Sequence, residues 1–323
     1  MDKLEPVLLT AACKDYLWGG TRLRTQYHQK SDAPRVAESW MLSCHPDGPS
    51  VVGSGESRGL TLPEYLKKAG KRVLGTDCAR FPDFPVLIKL IDAKKPLSVQ
   101  VHPDDAYAKT HEGGFGKTEM WYVVDCEEGA FLYYGFDHPI SREEFRERIA
   151  RNTLTEVLNK VPVKRGDVFF IEAGTLHAIG AGILIAEIQQ SSNLTYRVYD
   201  YGRLGLDGKP RALHIPQALD VTRRERPRHP VGPQGKIRRE QGCAAVLLAS
   251  CEFFTVERLE ITERAFRADE KSFHSLLCLG GGARILGADG PLLSFGKGDS
   301  VFVPAGMGRY VVQGNCELLL TTV

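Results

Sequence analysis

No apolar run in this 323-residue chain approaches the ~18 residues a membrane-spanning helix requires. The opening MDKLEPVLLTAACKDYLWGG has an apolar piece too short and too interrupted by charge to read as a secretion signal. An excess of charge of one sign is missing too: 42 Lys and Arg stand against 40 Asp and Glu, a formal net charge of +2, so neither a nucleic-acid nor a membrane partner is expected. The eight cysteines (Cys13, Cys44, Cys78, Cys126, Cys243, Cys251, Cys278 and Cys316) never take a CxxC spacing, which argues against a cysteine-built zinc finger or a disulfide scaffold. Five of them lie in or beside apolar strand-like runs and read as reduced core thiols, so a cytoplasmic location is expected.

What is present is ordinary globular material, 42% hydrophobic and 25% charged, long enough for two domains. Short apolar runs bounded by Gly, Pro, Asp or Asn recur at 86–92, 120–126, 130–135, 167–173 and 183–189. Helical patterns are confined to 61–74, 103–110, 141–159 and 215–221, the third opening SREE, where Ser141 can cap and Glu144 can return the bond. Many short strands with glycine turns predict a mainly β protein, a barrel or sandwich with a few short helices.

The chain also repeats itself. KRGDVFFIEAGTLHAIG at 164–180 aligns with GKGDSVFVPAGMGRYVV at 296–312, matching Gly166 to Gly298, Asp167 to Asp299, Phe170 to Phe302, Ala173 to Ala305 and Gly174 to Gly306. Two copies of one domain type follow, 1–235 and 242–323, joined by the Pro- and Arg-rich stretch 223–241 as a linker. In that register His177 faces Arg309, and the second copy has a single histidine, His274. A residue required by the frame should recur in both copies. His177 does not, which assigns it to chemistry and the glycines to the fold.

The segment PLSVQVHPDDAYAKTHEGGFGKTE at 96–119 supplies the other candidates. Gln100 and His102 are two apart in an extended, alternating stretch and so point to one side. Glu119 follows seventeen residues on and His177 fifty-eight after that, giving two imidazoles, a carboxylate and a carboxamide oxygen for one metal ion. A sulfur-free N/O set suits zinc, and also iron, manganese, cobalt or nickel.

A Gly-Asp pair, an apolar strand and an Ala-Gly turn carrying a histidine, preceded by a separate histidine strand, resemble the cupin jelly-roll pattern. PLSVQVHPDD, GKTEMWYVVD, AGTLHAIGAG and IAEIQQSSNLTYRVYDYGR, with WGG at 18–20 and AESWMLSCHPDG at 37–48, resemble the type I mannose-6-phosphate isomerases in their short bacterial form, over nearly the whole chain. The resemblance implies two cupin-type jelly-roll β-barrel domains, the second degenerate and without metal ligands, and one Zn2+ per chain held by Gln100, His102, Glu119 and His177. It implies that Arg197 is the active-site arginine, that Lys117 is the motif lysine before the metal glutamate, and that Glu187 is the acidic residue after the histidine strand. It also implies a small sugar phosphate as substrate. One departure is Asn193, where the family pattern has aspartate four residues before the arginine.

The activity implied is interconversion of mannose 6-phosphate and fructose 6-phosphate through a cis-enediol. A Lewis acid and a cationic side chain would stabilise the enediolate. Arg197 offers a fork suited to an oxyanion beside the reacting carbons, whereas Lys117 and Ser98 are expected near phosphate. The general base stays open between Glu187, Lys117 and a zinc-bound water. A metal-dependent cupin oxygenase is the alternative enzyme, since two histidines and a carboxylate also hold non-haem iron, but Gln100 fills a position oxygen would need. A non-catalytic sugar-binding cupin is the other alternative, disfavoured by the retention of all four donors.

Overall fold

The apolar runs form the strands Val86–Ala93, Glu119–Cys126, Phe131–Phe136, Val168–Ile171 and Ile183–Gln190. The structure is a computed structural model describing residues 4–204 and 208–323. Among the described residues no helix is long and apolar enough to cross a membrane, and all eight cysteines are unpaired thiols.

The chain forms two compact units, and they divide differently from the expected 1–235 and 242–323. Thr21–Leu90 and Pro233–Val323, with the N-terminal stretch through Lys14, make one; Asp15–Gly20 and Ile91–Gly232 make the other. Strand pairing causes this. Val7–Thr10 zips antiparallel onto Ser300–Val303, with Val7 opposite Phe302, and the backbone N–H groups of Thr76 and Asp77 donate to Glu270 and Lys271. A Cβ on Gly298 would meet the Tyr27 carbonyl oxygen at 2.0 Å, so only glycine permits that approach. The expected linker is also built into the units: Arg223 N–H donates to Gly174 O and Gly232 N–H to Val168 O, while Arg238–Glu240 is a strand beside Cys243–Ser250.

In the unit containing residues 91–232, a five-stranded antiparallel sheet runs in the order Tyr196–Tyr199, Val99–Val101, His177–Ile179, Phe131–Phe136, Leu158–Pro162. One face is apolar: Val99, Val101, Phe136, Ala178 and Val198 share a core with Phe145, Ala218 and Leu219 of the helices Arg142–Ala150 and Ile215–Val221. Alternation turns the intervening residues to the other side, and the register lines up Arg197, Gln100, His177 and Tyr134 across four strands. Facing this row are Val168–Ile171, Glu119–Cys126 and Ile183–Gln190, paired in that order, with Glu119 opposite Gln189 and Trp121 opposite Glu187. Trp121 meets His177 edge to face at 5.2 Å. The strand orders run open, so the jelly-roll expectation is met by faced sheets rather than by a closed ring.

The other unit holds a nine-stranded antiparallel sheet that includes Thr255–Ala268, His274–Gly287 and Gly308–Thr322. Its interior is apolar, with Leu259, Leu276, Val301, Val312 and Leu318 fully buried. The repeated turn is built identically in both units. Gly166 and Gly298 take φ of 92° and 89°, Gly174 and Gly306 of 87° and 77°, all in the glycine region. Asp167 Oδ2 accepts the Lys164 N–H at 2.9 Å as Asp299 Oδ2 accepts that of Gly296 at 2.7 Å.

The expected helices form, 215–221 over its full length and 103–110 as Asp105–His111, while the other two are shorter. The 61–74 stretch is helical over Leu62–Ala69, then broken by Gly70 at φ 85° into a 3-10 turn Lys71–Leu74. The 141–159 stretch stops at Ala150 because Asn152 turns left-handed at φ 56° and Leu158–Pro162 is already a strand. Ser141 caps as expected, accepting the Glu144 N–H at 3.0 Å; the reciprocal capping box forms at Thr61 and Glu64.

Candidate metal centre

His102 and His177 are 1% and 0% exposed and Glu119 is 0% exposed, so three titratable side chains are sealed between the two sheets of one unit. Gln100 and His177 are paired residues on adjacent strands, His102 follows Gln100 by two, and the imidazole centroids are 4.8 Å apart. From the facing sheet Glu119 brings Oε1 to 3.4 Å from His177 Nε2 and Oε2 to 3.8 Å from His102 Nε2. The three donor atoms lie within 4.8 Å of one another. Gln100, half-buried, is the cross-strand neighbour of His177.

The ring orientations suit a metal. His102 Nδ1 lies 2.8 Å from Leu194 O and His177 Nδ1 2.8 Å from Thr175 O. A carbonyl only accepts, so both Nδ1 atoms carry the proton and both Nε2 atoms present lone pairs toward Glu119. Burial pushes His177 down to about 4, the hydrogen bond to the Thr175 carbonyl opposes it, and Lys117 lowers and Glu187 raises it by less; the ring is neutral at pH 7, as ligation demands. His177 Nε2 is buried and makes no hydrogen bond. An orphaned imidazole nitrogen beside a sealed carboxylate is costly to bury without a partner, and a divalent cation satisfies it.

Lys117 is part of this cluster. It is 4% exposed, its Nζ lies 2.5 Å from Glu119 Oε2, 3.7 Å from Glu187 Oε1 and 3.3 Å from His102 Nε2. Two carboxylates therefore already balance its charge. Glu187 is held by Trp121, whose Nε1–H donates to Oε2 at 2.9 Å. Ser98 is buried two residues before Gln100.

Arg197 is paired with Gln100 at the end of the cross-strand row. Its Nη1 donates to Ala212 O at 3.0 Å, and its Nε is buried with no hydrogen-bond partner. Burial holds its pKa below the usual arginine value, with Arg211 and Arg203 adding to the effect and Asp200 opposing it. Asn193 is exposed. The acid acting on Arg197 is Asp200, which also accepts from Arg211 at 2.7 and 2.6 Å, so the amide at 193 does not leave the arginine group without a counter-charge.

Sequence reasoning missed the supports. Trp121 carries no metal or acid–base motif, yet it touches His177 and holds Glu187; its alternation with Glu119 was the available signal. Leu194 and Thr175 act through carbonyl oxygens, which no side-chain motif reveals.

The repeat explains why, among the described residues, one such cluster forms. Gly174 N–H donates to His102 O as Gly306 N–H does to Asp269 O, and Arg267 pairs with Arg309 as Gln100 pairs with His177. His274 pairs with Val303 as Glu119 pairs with Ile171. Arg267 and Arg309 are exposed, and their neighbours Phe266 and Tyr310 stack inside at 5.2 Å. The donor positions of the second copy are therefore arginine, aspartate, histidine and arginine, with the arginines turned to solvent.

Residues 7–129 match the family described as phosphomannose isomerase type I, catalytic domain, and residues 245–323 the mannose-6-phosphate isomerase cupin domain. The mannose-6-phosphate isomerase of Streptococcus mutans is 39% identical over 98% of this chain and 97% of its own. The chain belongs to the type I phosphomannose isomerase family. The crystal structure of the mannose 6-phosphate isomerase from Bacillus subtilis superposes with a TM-score of 0.90 at 34% identity, over 99% of this chain and 100% of that one. A mutant phosphomannose isomerase from Salmonella typhimurium, at 17% identity, shares the fold with a TM-score of 0.79 over 98% and 99% of the two chains. His177, Glu187 and Arg197 fall between the two matched segments, so for this member of the family it is the geometry that joins them to Gln100, His102, Lys117 and Glu119.

Proposed function

We propose that this family member interconverts mannose 6-phosphate and fructose 6-phosphate at the His102–Glu119–His177 centre, with Zn2+ held there by these three residues and Gln100. The observation that carries the reading is the pair of sealed imidazoles whose Nε2 lone pairs converge on one buried carboxylate. The family membership supplies the substrate class. When bound, Zn2+ supplies Lewis-acid polarisation of oxygen at the reacting carbons.

The chain's own residues do the rest. One proton leaves C2 of the aldose and is returned to C1 through a cis-enediol, while a second exchanges between O1 and O2. Lys117 and Glu187, 3.7 Å apart, form a pair able to hold and pass a proton on the site face. The Trp121 N–H engages Oε2 of Glu187, and Oε1 is the oxygen on the Lys117 side. Arg197 reaches the same face with an unsatisfied Nε, and its planar fork suits the enediolate oxygens or the phosphate. The two faced sheets bury the cluster away from bulk water, which strengthens each of these charges.

The test joins metal analysis to an assay for fructose 6-phosphate formation. Wild-type protein should carry one zinc per chain and turn over mannose 6-phosphate; His102→Ala and His177→Ala should lose both while keeping the wild-type circular dichroism. Tight zinc in both variants would defeat the coordination, and zinc-loaded wild type inert toward the sugar would defeat the activity.

A further inference from the structure

Gln189 is fully buried and stands directly opposite Glu119 on the neighbouring strand. Both protons of its carboxamide are committed: Nε2 donates to Gln190 O at 2.8 Å and to Ser192 O at 2.6 Å. The flipped amide would set an oxygen against two carbonyls, so its orientation follows from its partners. Oε1 has no hydrogen-bond partner. An apolar side chain would fill this position without burying an unpaired oxygen, so the carboxamide is costly here unless its nitrogen is needed.

What the nitrogen holds is the turn behind His102. Within that turn Ser192 N–H donates to Gln190 O at 2.7 Å, and Ser192 Oγ donates to Phe115 O at 2.9 Å while receiving the Leu194 N–H at 3.3 Å. Leu194 O then accepts the His102 Nδ1–H at 2.8 Å. An unbroken chain of hydrogen bonds and three residues of backbone therefore runs from the cross-strand neighbour of Glu119 to the far nitrogen of His102. A ligand imidazole is aimed by the bond its other nitrogen makes, and a carbonyl on an irregular turn aims it only as well as the turn is held.

We propose that Gln189 is a positioning residue of the centre: its carboxamide clamps the 190–194 turn so that Leu194 O fixes the tautomer and direction of His102, and metal affinity thereby depends on a side chain that ligates nothing. This rests on the reading of the centre as a metal site. A purely structural glutamine would change stability and leave the affinity of the folded protein alone.

The experiment is Zn2+ affinity by chelator competition on wild type, Gln189→Met and Ser192→Ala, with nitrogen NMR of the His102 ring in the metal-free proteins. Gln189→Met should weaken Zn2+ binding by about 10- to 100-fold and mix the two His102 tautomers, with circular dichroism unchanged. Ser192→Ala should move both readouts the same way and stands in if the methionine variant does not fold. Wild-type affinity and a single tautomer in the folded variants would overturn the inference alone. Failure of wild type to take up Zn2+ would overturn the metal reading, and this inference with it.

Discussion

Lys117 Nζ sits 2.5 Å from Glu119 Oε2 while remaining within 3.7 Å of Glu187 Oε1. One ammonium thus faces both the carboxylate that would bind metal and the carboxylate that would carry a proton. The sequence pattern alone would give Lys117 the substrate phosphate, but a charge already shared by two sealed carboxylates has little left for a dianion.

Lys117→Met should therefore act on turnover. We expect kcat to fall by roughly two to four powers of ten, the usual worth of a positioned acid–base group, while KM for mannose 6-phosphate shifts by only a few fold. Metal content should not drop, because the ammonium competes for Glu119 and His102 Nε2. Steady-state kinetics with metal analysis decides it; a large rise in KM at constant kcat would return Lys117 to the phosphate.

Arg197→Lys keeps the charge and loses the fork. Since Nη1 is occupied by Ala212 O and Nε is the unsatisfied donor, a point charge cannot reproduce the direction. Turnover should fall at least roughly tenfold with zinc stoichiometry unchanged, and wild-type kcat would take Arg197 out of the reaction.

His274 gives a pH-dependent stability that owes nothing to the metal. Burial pushes it down to about 4, Asp269 opposing only weakly, and its Nδ1 pairs with the Tyr310 hydroxyl at 2.7 Å. The folded state keeps the ring neutral and the unfolded state protonates it near the ordinary histidine value of 6.5, so stability is full above that value and is lost as pH falls toward 4. The loss amounts to about 3 kcal/mol at most. Urea unfolding of wild type and His274→Gln across this window should show a shallower acid limb in the variant; parallel limbs would contradict the assignment.

Arg309→His should create no second metal site. Position 309 is solvent-exposed, its cross-strand partner is Arg267, and a lone surface imidazole binds zinc weakly. Metal stoichiometry should read one per chain in both proteins, and two in the variant would mean the second copy of the repeat can still assemble donors.

Much of the centre was legible because alternation is local. Gln100 and His102 share a side by period two, and the mismatch of His177 with Arg309 against a conserved turn frame isolates His177 as chemical. The domain division was not legible, since it depends on Val7–Thr10 pairing with Ser300–Val303 from the opposite end of the chain, and no local pattern encodes a partner so distant. The reach of 141–159 as a helix was overestimated for a related reason: the periodic pattern carries no mark of Asn152 turning left-handed. Gln189 escaped because a glutamine inside an apolar strand looks like any tolerated polar residue until both of its protons are seen to be in use.

Trp121 has a consequence for the bench. The chain contains three tryptophans, and this one alone bonds Glu187 and packs its edge against His177. Its indole is thus an optical gauge that touches both the His177 and the Glu187 sides of the site. With Trp18 and Trp40 replaced by phenylalanine, the emission colour and lifetime of the remaining indole would follow metal loading and substrate arrival in real time, without any attached dye.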